Sequence, residues 1–225
     1  MKSTHCLLVA KAKCVHGFEK SLNAWYFSHL PKRLQAPGFL WGFRYQSVKD
    51  PSSFVALYGI ESPTYLSSLL NEDISKRHPL IASPEFNAPP QGLEYTDIGI
   101  YQIKRSEPLE APLLLTDSAI SLEAWDWNSK KSSLALAEAC DEHYLQEMLN
   151  FPFYRAGHRF EQIVDPDIAY TNQMPQNLIL FEYESPKVDA LAQRPKLSSR
   201  IEPLMRRHSQ GSYQLISKNW PVRIL

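Results

Sequence analysis

The same short patterns occur twice in this chain, in the same order, and that repetition constrains the fold more than any other feature. The first set runs Ser28-His29-Leu30-Pro31-Lys32-Arg33-Leu34-Gln35-Ala36-Pro37-Gly38-Phe39 and then Phe43-Arg44-Tyr45. The second set, roughly 115 positions further on, runs Glu142-His143-Tyr144-Leu145-Gln146-Glu147-Met148-Leu149-Asn150-Phe151-Pro152-Phe153 and then His158-Arg159-Phe160. Ile60-Glu61-Ser62-Pro63 is echoed by Tyr183-Glu184-Ser185-Pro186, and Tyr101-Gln102-Ile103 by Tyr213-Gln214-Leu215. Each match is short; their common order is what argues against coincidence. A repeat of this length spans a whole small domain, unlike the ~20–50-residue units of solenoids. The 225 residues therefore read as two domains, 1–106 and 113–225, joined by a proline-bearing linker over 107–112.

Lys and Arg together equal Asp and Glu, so the formal net charge is zero and points to neither nucleic acid nor an anionic membrane as partner. Cys6, Cys14 and Cys140 are few, odd in number and without CxxC spacing, which fits a reducing compartment better than a disulfide framework or a zinc site. Lys11 and Lys13 interrupt the first apolar run, so it does not read as a signal peptide. No stretch approaches the ~20 apolar residues of a membrane span. The expectation is a cytoplasmic protein whose partner is a small molecule, working as a monomer or as a homodimer of tandem repeats.

Local patterns fill in each half. Alternating residues over Cys6–Val15 predict a strand. After Gly17 the period becomes helical, with Phe18, Leu22, Trp25 and His29 on one stripe, and Pro31 is expected to bend or close this helix before Pro37-Gly38 stops it. Phe39–Val48 and Phe54–Ile60 are expected as strands around a Pro51-Ser52 turn. Ser62-Pro63 opens a short helix to about Asn71, a proline-bearing loop follows, and Ile98–Ile103 is the fourth strand. The second half repeats the order: strand Ser118–Trp127, helix Ser132–Leu149, strands Tyr154–Ile163 and Asn177–Tyr183, helix Leu197–His208, strand Ser212–Ser217. Strand-helix-strand-strand-helix-strand is the split βαβ of the ferredoxin-like fold. The expected class is α+β: two ferredoxin-like repeats (βαββαβ twice) whose bare sheet faces cover each other in an intrachain pseudo-dimeric α+β barrel, with a cavity between sheet and helices.

Trp25-Tyr26-Phe27-Ser28-His29-Leu30-Pro31, then Pro37-Gly38-Phe39 and Arg44-Tyr45, resemble the EthD-like members of the dimeric α/β-barrel superfamily, as does Phe54-Val55-Ala56-Leu57-Tyr58. The likeness covers the first 70 or so residues and thins in the second half to Glu142-His143, Arg159-Phe160 and Glu184-Ser185-Pro186. It implies the barrel fold but no single reaction, because the superfamily holds cyclases, isomerases, cofactor-free monooxygenases and haem enzymes. Ser28 stands where a Glu usually precedes the His, and Ala139-Cys140 stands where the first copy has Trp25-Tyr26. The two pockets are thus expected to differ, with the working one around His29.

His29 is the candidate acid/base, since a neutral imidazole can take or give a proton near neutral pH. Against this stands a core histidine that merely fixes the helix end. Tyr26 and Tyr58 are candidate phenolic donors to a developing oxyanion, or simply packing. Trp25 and Phe43 are expected to wall the pocket, while Arg44, His143 and Arg159 are candidate substrate-binding residues. Only one of Arg44 and Tyr45 can face the cavity, because strand side chains alternate; His158 falls on the opposite face from Arg159. No metal-ligand pairing, phosphate-cradling glycine loop or nucleophile elbow occurs. Three functions follow. The first is a cofactor-independent enzyme (a lyase or isomerase) moving protons on a small aromatic, polyketide-like or carbonyl substrate. The second is a non-catalytic or stress-related module holding a hydrophobic ligand. The third is a haem enzyme, for which His29 or His143 would be the axial ligand.

Overall fold

The computed structural model describes residues 4, 6–84, 88, 90–108, 119–127, 137–138, 143–169, 174–183 and 205–219. Its elements are β1 (Cys6–Cys14), α1 (Glu19–Arg33), β2 (Phe39–Ser47), β3 (Ser53–Ile60), α2 (Leu66–Leu70), α3 (Pro79–Ala82), β4 (Leu93–Glu107), β5 (Ala119–Trp127), α4 (Leu145–Leu149), β6 (Tyr154–Gln162), β7 (Asn177–Tyr183) and β8 (Met205–Asn219). They form two compact units: unit 1 comprises Met1–Gln102, Ile163–Met174 and Leu215–Leu225, and unit 2 comprises Ile103–Gln162 and Pro175–Gln214. Two of the four unit boundaries fall inside β4 and β8. Of the expected linker, residues 109–112 lie outside the described residues, as do half of the expected helix 132–149, residues 197–204 of the last helix, and Glu184-Ser185-Pro186.

In unit 1 the strand order is β4-β1-β3-β2, antiparallel throughout, with Leu8 opposite Tyr58 and Ile100. The hairpin between β2 and β3 turns on Asp50, whose carboxylate accepts hydrogen bonds from the Ser52 amide and from the hydroxyls of Ser52 and Ser53. Those bonds hold the Asp50 carboxyl down at about 2. Burial separates the two faces of the sheet. Cys6, Leu8, Ala10, Phe54, Ala56, Tyr58 and Ile60 join Leu22, Tyr26 and Leu30 of α1 in one core, which Ile168 completes. Leu7, Val9, Trp41, Phe43, Tyr45 and Leu57 are buried on the opposite face.

Helix α1 begins after Gly17, whose amide donates to Glu19 Oε2 at 2.9 Å, and Lys32 and Arg33 in its last turn complement the helix dipole. Pro31 neither closes nor delays it, for the helix continues to Arg33. The N–H that proline lacks would have bonded Phe27, an 83% exposed residue whose carbonyl water can serve. The buried stripe is Leu22, Tyr26, His29 and Leu30, so Trp25 sits at its margin and Tyr26 at its centre.

Unit 2 has the order β8-β5-β7-β6, also antiparallel, with Ile179 between Glu123 and Arg159. Its core joins Trp125, Tyr144, Leu145, Met148, Tyr154, Ile179, Phe181 and Tyr183. The expected helix over 197–208 is corrected at its end: Met205–His208 belong to β8, where Arg207 pairs with Trp125 and Arg206 with Asp126. Pairing with β5 outweighs the weak strand preference of that charged tract. No described helix is long and apolar enough to cross a membrane.

Trp41 lies flat over Gly59: a Cβ built there would sit 2.3 Å from Trp41 Cε2. Gly59→Ala should therefore lower unfolding stability by about 1–3 kcal/mol, read from urea midpoints, because a buried indole has nowhere to withdraw.

Candidate functional site

Small residues open the space beneath α1. Gly42 and Ala56 lie on the helix-facing side of β2 and β3, where a Cβ on Gly42 would already stand 3.2 Å from Tyr58 and 3.4 Å from Leu30. Arg44, opposite Ala56, fills that space and is 2% exposed. Its guanidinium carbon stands 4.3 Å from the Tyr26 ring centroid and 4.4 Å from that of Phe54. Nη1 donates to Asn23 Oδ1 of α1. Nε and Nη2, adjacent along one edge of the guanidinium, are buried without a hydrogen-bond partner. Burial pulls the Arg44 pKa down to about 10, so the group remains a cation at neutral pH.

Two phenols and an imidazole lie around it. Burial raises both phenols, Tyr26 and Tyr58, and for Tyr58 the hydrogen bond from Arg33 opposes that shift. Arg33 also stands over the Tyr58 ring, 5.0 Å from its centroid. His29 stacks on Trp25 with centroids 3.9 Å apart and meets the edge of Tyr26 at 6.3 Å. Burial, reinforced by the charges of Arg33 and Lys32, lowers the His29 pKa to about 3. The imidazole is therefore uncharged at neutral pH, and Tyr26 is the residue that contacts both it and Arg44.

The structure thus brings Trp25, Tyr26, His29, Arg44 and Tyr58 together in unit 1, whereas His143 and Arg159 belong to unit 2. Phe43 is corrected as a pocket wall: strand alternation turns it to the opposite face, where it stacks on Trp41 at 4.9 Å. His143 is exposed and so does not match the buried His29 it echoes. Arg159 is buried on β6 two residues after Gly157, as Arg44 follows Gly42 on β2, and a Cβ on Gly157 would meet Phe181 and Leu145. Beside it in unit 2, the Tyr144 hydroxyl donates to buried Glu123 at 3.0 Å. Asn23 and Arg33 escaped the sequence reading because nothing in their pattern separates them from a solvated helix face. Cys6 and Cys14 are buried, with the Cys6 thiol pushed up to about 11. Among the described residues no cluster of His, Cys, Asp and Glu could hold a metal ion.

No protein-family model matches the chain, and no curated protein matches it. Solved structures do. An anthrone oxidase-like protein aligns over 100% of this chain and 96% of its own, with a TM-score of 0.66 and 10% identity. A putative monooxygenase from Fusobacterium nucleatum covers 98% and 96%, at TM-score 0.64 and 13% identity. A putative chlorite dismutase covers 96% of both chains, at TM-score 0.62 and 12% identity. At such identities the likeness shows the fold alone, one shared with these proteins over nearly the whole chain.

The lowered His29 pKa makes a stability prediction. A folded-state value below the unfolded ~6.5 means the unfolded chain binds the extra proton, so this contribution is complete above about pH 6.5 and is lost as pH falls toward 3. His29→Gln should flatten the decline of the urea midpoint between pH 6.5 and 4 relative to the parent protein.

Proposed function

We propose that the chain is a small-molecule enzyme whose unit 1 site binds a planar, anionic aromatic or carbonyl compound at Arg44 and moves a proton within it. One observation carries this reading: a buried guanidinium with no carboxylate partner among the described residues and two adjacent N–H groups unpaired. The Tyr26 and Phe54 rings and Asn23 account for a structural cation only in part, since each buried unpaired donor costs about 1–3 kcal/mol. An adjacent Nε–Nη2 edge matches the two oxygens of a carboxylate, or the oxygen of an enolate as it forms. That edge is covered in the resting protein, so binding displaces a side chain over it; Asn23 and Trp25, both half-buried, are the candidates.

His29 is the proposed base. With the site empty, its imidazole is a weak one, because Arg33 and Lys32 add to the effect of burial. A bound anion offsets those two charges and raises the proton affinity when a proton is to be taken. The Tyr26 and Tyr58 phenols, held protonated by burial, donate to the oxygen on which charge accumulates. Trp25 supplies the flat apolar surface. Rearrangement or elimination then completes an isomerase or lyase cycle without a tightly bound cofactor. The names of the neighbours favour a second outcome of the same step, in which the electron-rich deprotonated substrate reacts with dioxygen.

The finer architecture belongs to this proposal. Two fused ferredoxin-like repeats, 1–106 and 113–225, have kept a Gly-x-Arg on β2 and β6 but, among the described residues, only one buried histidine, His29, on the helix-covered face; His143 and Arg159 retain at most a ligand-holding role.

Phenylpyruvate, a planar aryl keto acid with an acidic C–H, is a suitable probe. It should raise the melting temperature of the protein and exchange its methylene protons with D2O by NMR. Arg44→Met should abolish both effects without loss of stability, since an apolar isostere relieves an unpaired buried charge. His29→Gln should keep binding and lose exchange. Binding without exchange in the parent protein would leave a ligand-holding module, and dioxygen consumption would select the oxidative outcome. A separate measurement addresses haem: hemin added to the protein should produce no shifted Soret band. A band that vanished in His29→Ala would replace the proton-transfer reading.

A further inference from the structure

Unit 2 carries a second constellation, on the sheet face turned away from α4. The Ser106 hydroxyl oxygen lies 2.9 Å from His158 Nδ1, and His158 Nε2 lies 3.1 Å from Glu182 Oε1. Three strands supply the three residues: β4, β6 and β7. His158 alternates with Gly157 and Arg159, which face the helix, and is completely buried. Glu182 is 4% exposed. Ser106 is the half-buried member, so accessibility rises from the carboxylate and the imidazole to the hydroxyl.

The tautomer sets the direction of these bonds. In the neutral tautomer with the ring hydrogen on Nε2, His158 donates to the Glu182 carboxylate and presents its Nδ1 lone pair to the serine hydroxyl, which donates. That is the order of donors in a serine-histidine-acid relay, with the two ring nitrogens exchanged. A buried histidine held for packing needs both nitrogens bonded. It does not need its one accessible partner to be a hydroxyl polarised toward a carboxylate-anchored base.

We propose that Ser106 is an activated nucleophile that accepts acyl groups from activated esters, with His158 as its base and Glu182 as the residue that positions that base. The Ser106 oxygen forms a bond to the ester carbonyl carbon while its proton passes to His158 Nδ1. The tetrahedral adduct collapses, the bond to the ester alcohol breaks, and that alcohol leaves with the proton from Nδ1. Water then adds to the acyl-serine through the same base, releasing the acid and restoring Ser106. The atoms balance with ester and water alone. This site is independent of Arg44 and His29, so the two readings stand or fall separately.

The test is covalent labelling of the full chain by a fluorophosphonate, read by intact mass and peptide mapping, with p-nitrophenyl acetate as the substrate probe. One adduct at Ser106 and a burst of p-nitrophenol are expected. Ser106→Ala, at the half-buried position where folding is least sensitive, should lose both while its circular dichroism and its response to phenylpyruvate stay unchanged. Glu182→Gln should slow labelling at least about 100-fold with the adduct still at Ser106. Absence of an adduct, an adduct elsewhere, or equal rates in the parent protein and a folded Glu182→Gln variant would overturn the assignment.

Discussion

Strands buried on both faces set the terms for everything else in this molecule. β3 from Phe54 to Ile60 and β7 from Asn177 to Tyr183 are buried from end to end, and β2 is nearly as enclosed. On such a strand a polar side chain cannot turn outward to be hydrated. It must find a partner within the fold or remain unsatisfied at a cost. Arg44, His158, Glu182 and Arg159 all occupy positions of this kind, and the chemistry assigned to the protein comes from how each meets that demand.

The two units meet it differently. Under α1, the guanidinium is stabilised by ring faces and one amide oxygen, an arrangement that leaves two of its donors unpaired. Such a site has positive charge to offer, so an anionic guest gains more there than it would in water. In unit 2 the demand is met by mutual bonding, with a carboxylate, an imidazole and a hydroxyl closing a chain. The first arrangement suits binding and charge stabilisation, and the second suits a directed proton transfer.

Apolar strands were the most legible part of the sequence. Asn177–Tyr183 was read with its observed bounds, and β1, β2, β3 and β6 to within a residue or so, because runs of aliphatic and aromatic residues leave little choice of state. Met205–His208 was misread because Arg206-Arg207-His208 carries no apolar or β-branched signal, and its strand state comes from β5. The direction of side chains was harder still. Alternation says that Phe43 and Arg44 oppose each other, but with both faces buried no polar stripe marks which side is covered by the helix. Repetition misled in one place, since His143 echoes His29 in sequence yet lies exposed at the start of a short helix. Glu182 was the signal left unread, a carboxylate closing an otherwise apolar strand and therefore in need of a partner such as His158.

The Gly-x-Arg segments on β2 and β6 differ at the middle residue, Phe43 in one and His158 in the other. Because alternation sends that middle residue to the far side of the sheet, its replacement leaves the arginine side almost undisturbed. A doubly buried strand is in this sense two surfaces printed on one backbone, each free to drift while the other is held by selection. Such a strand can take up a new polar group on one face while the other keeps its residues, since a substitution on one side never touches the other.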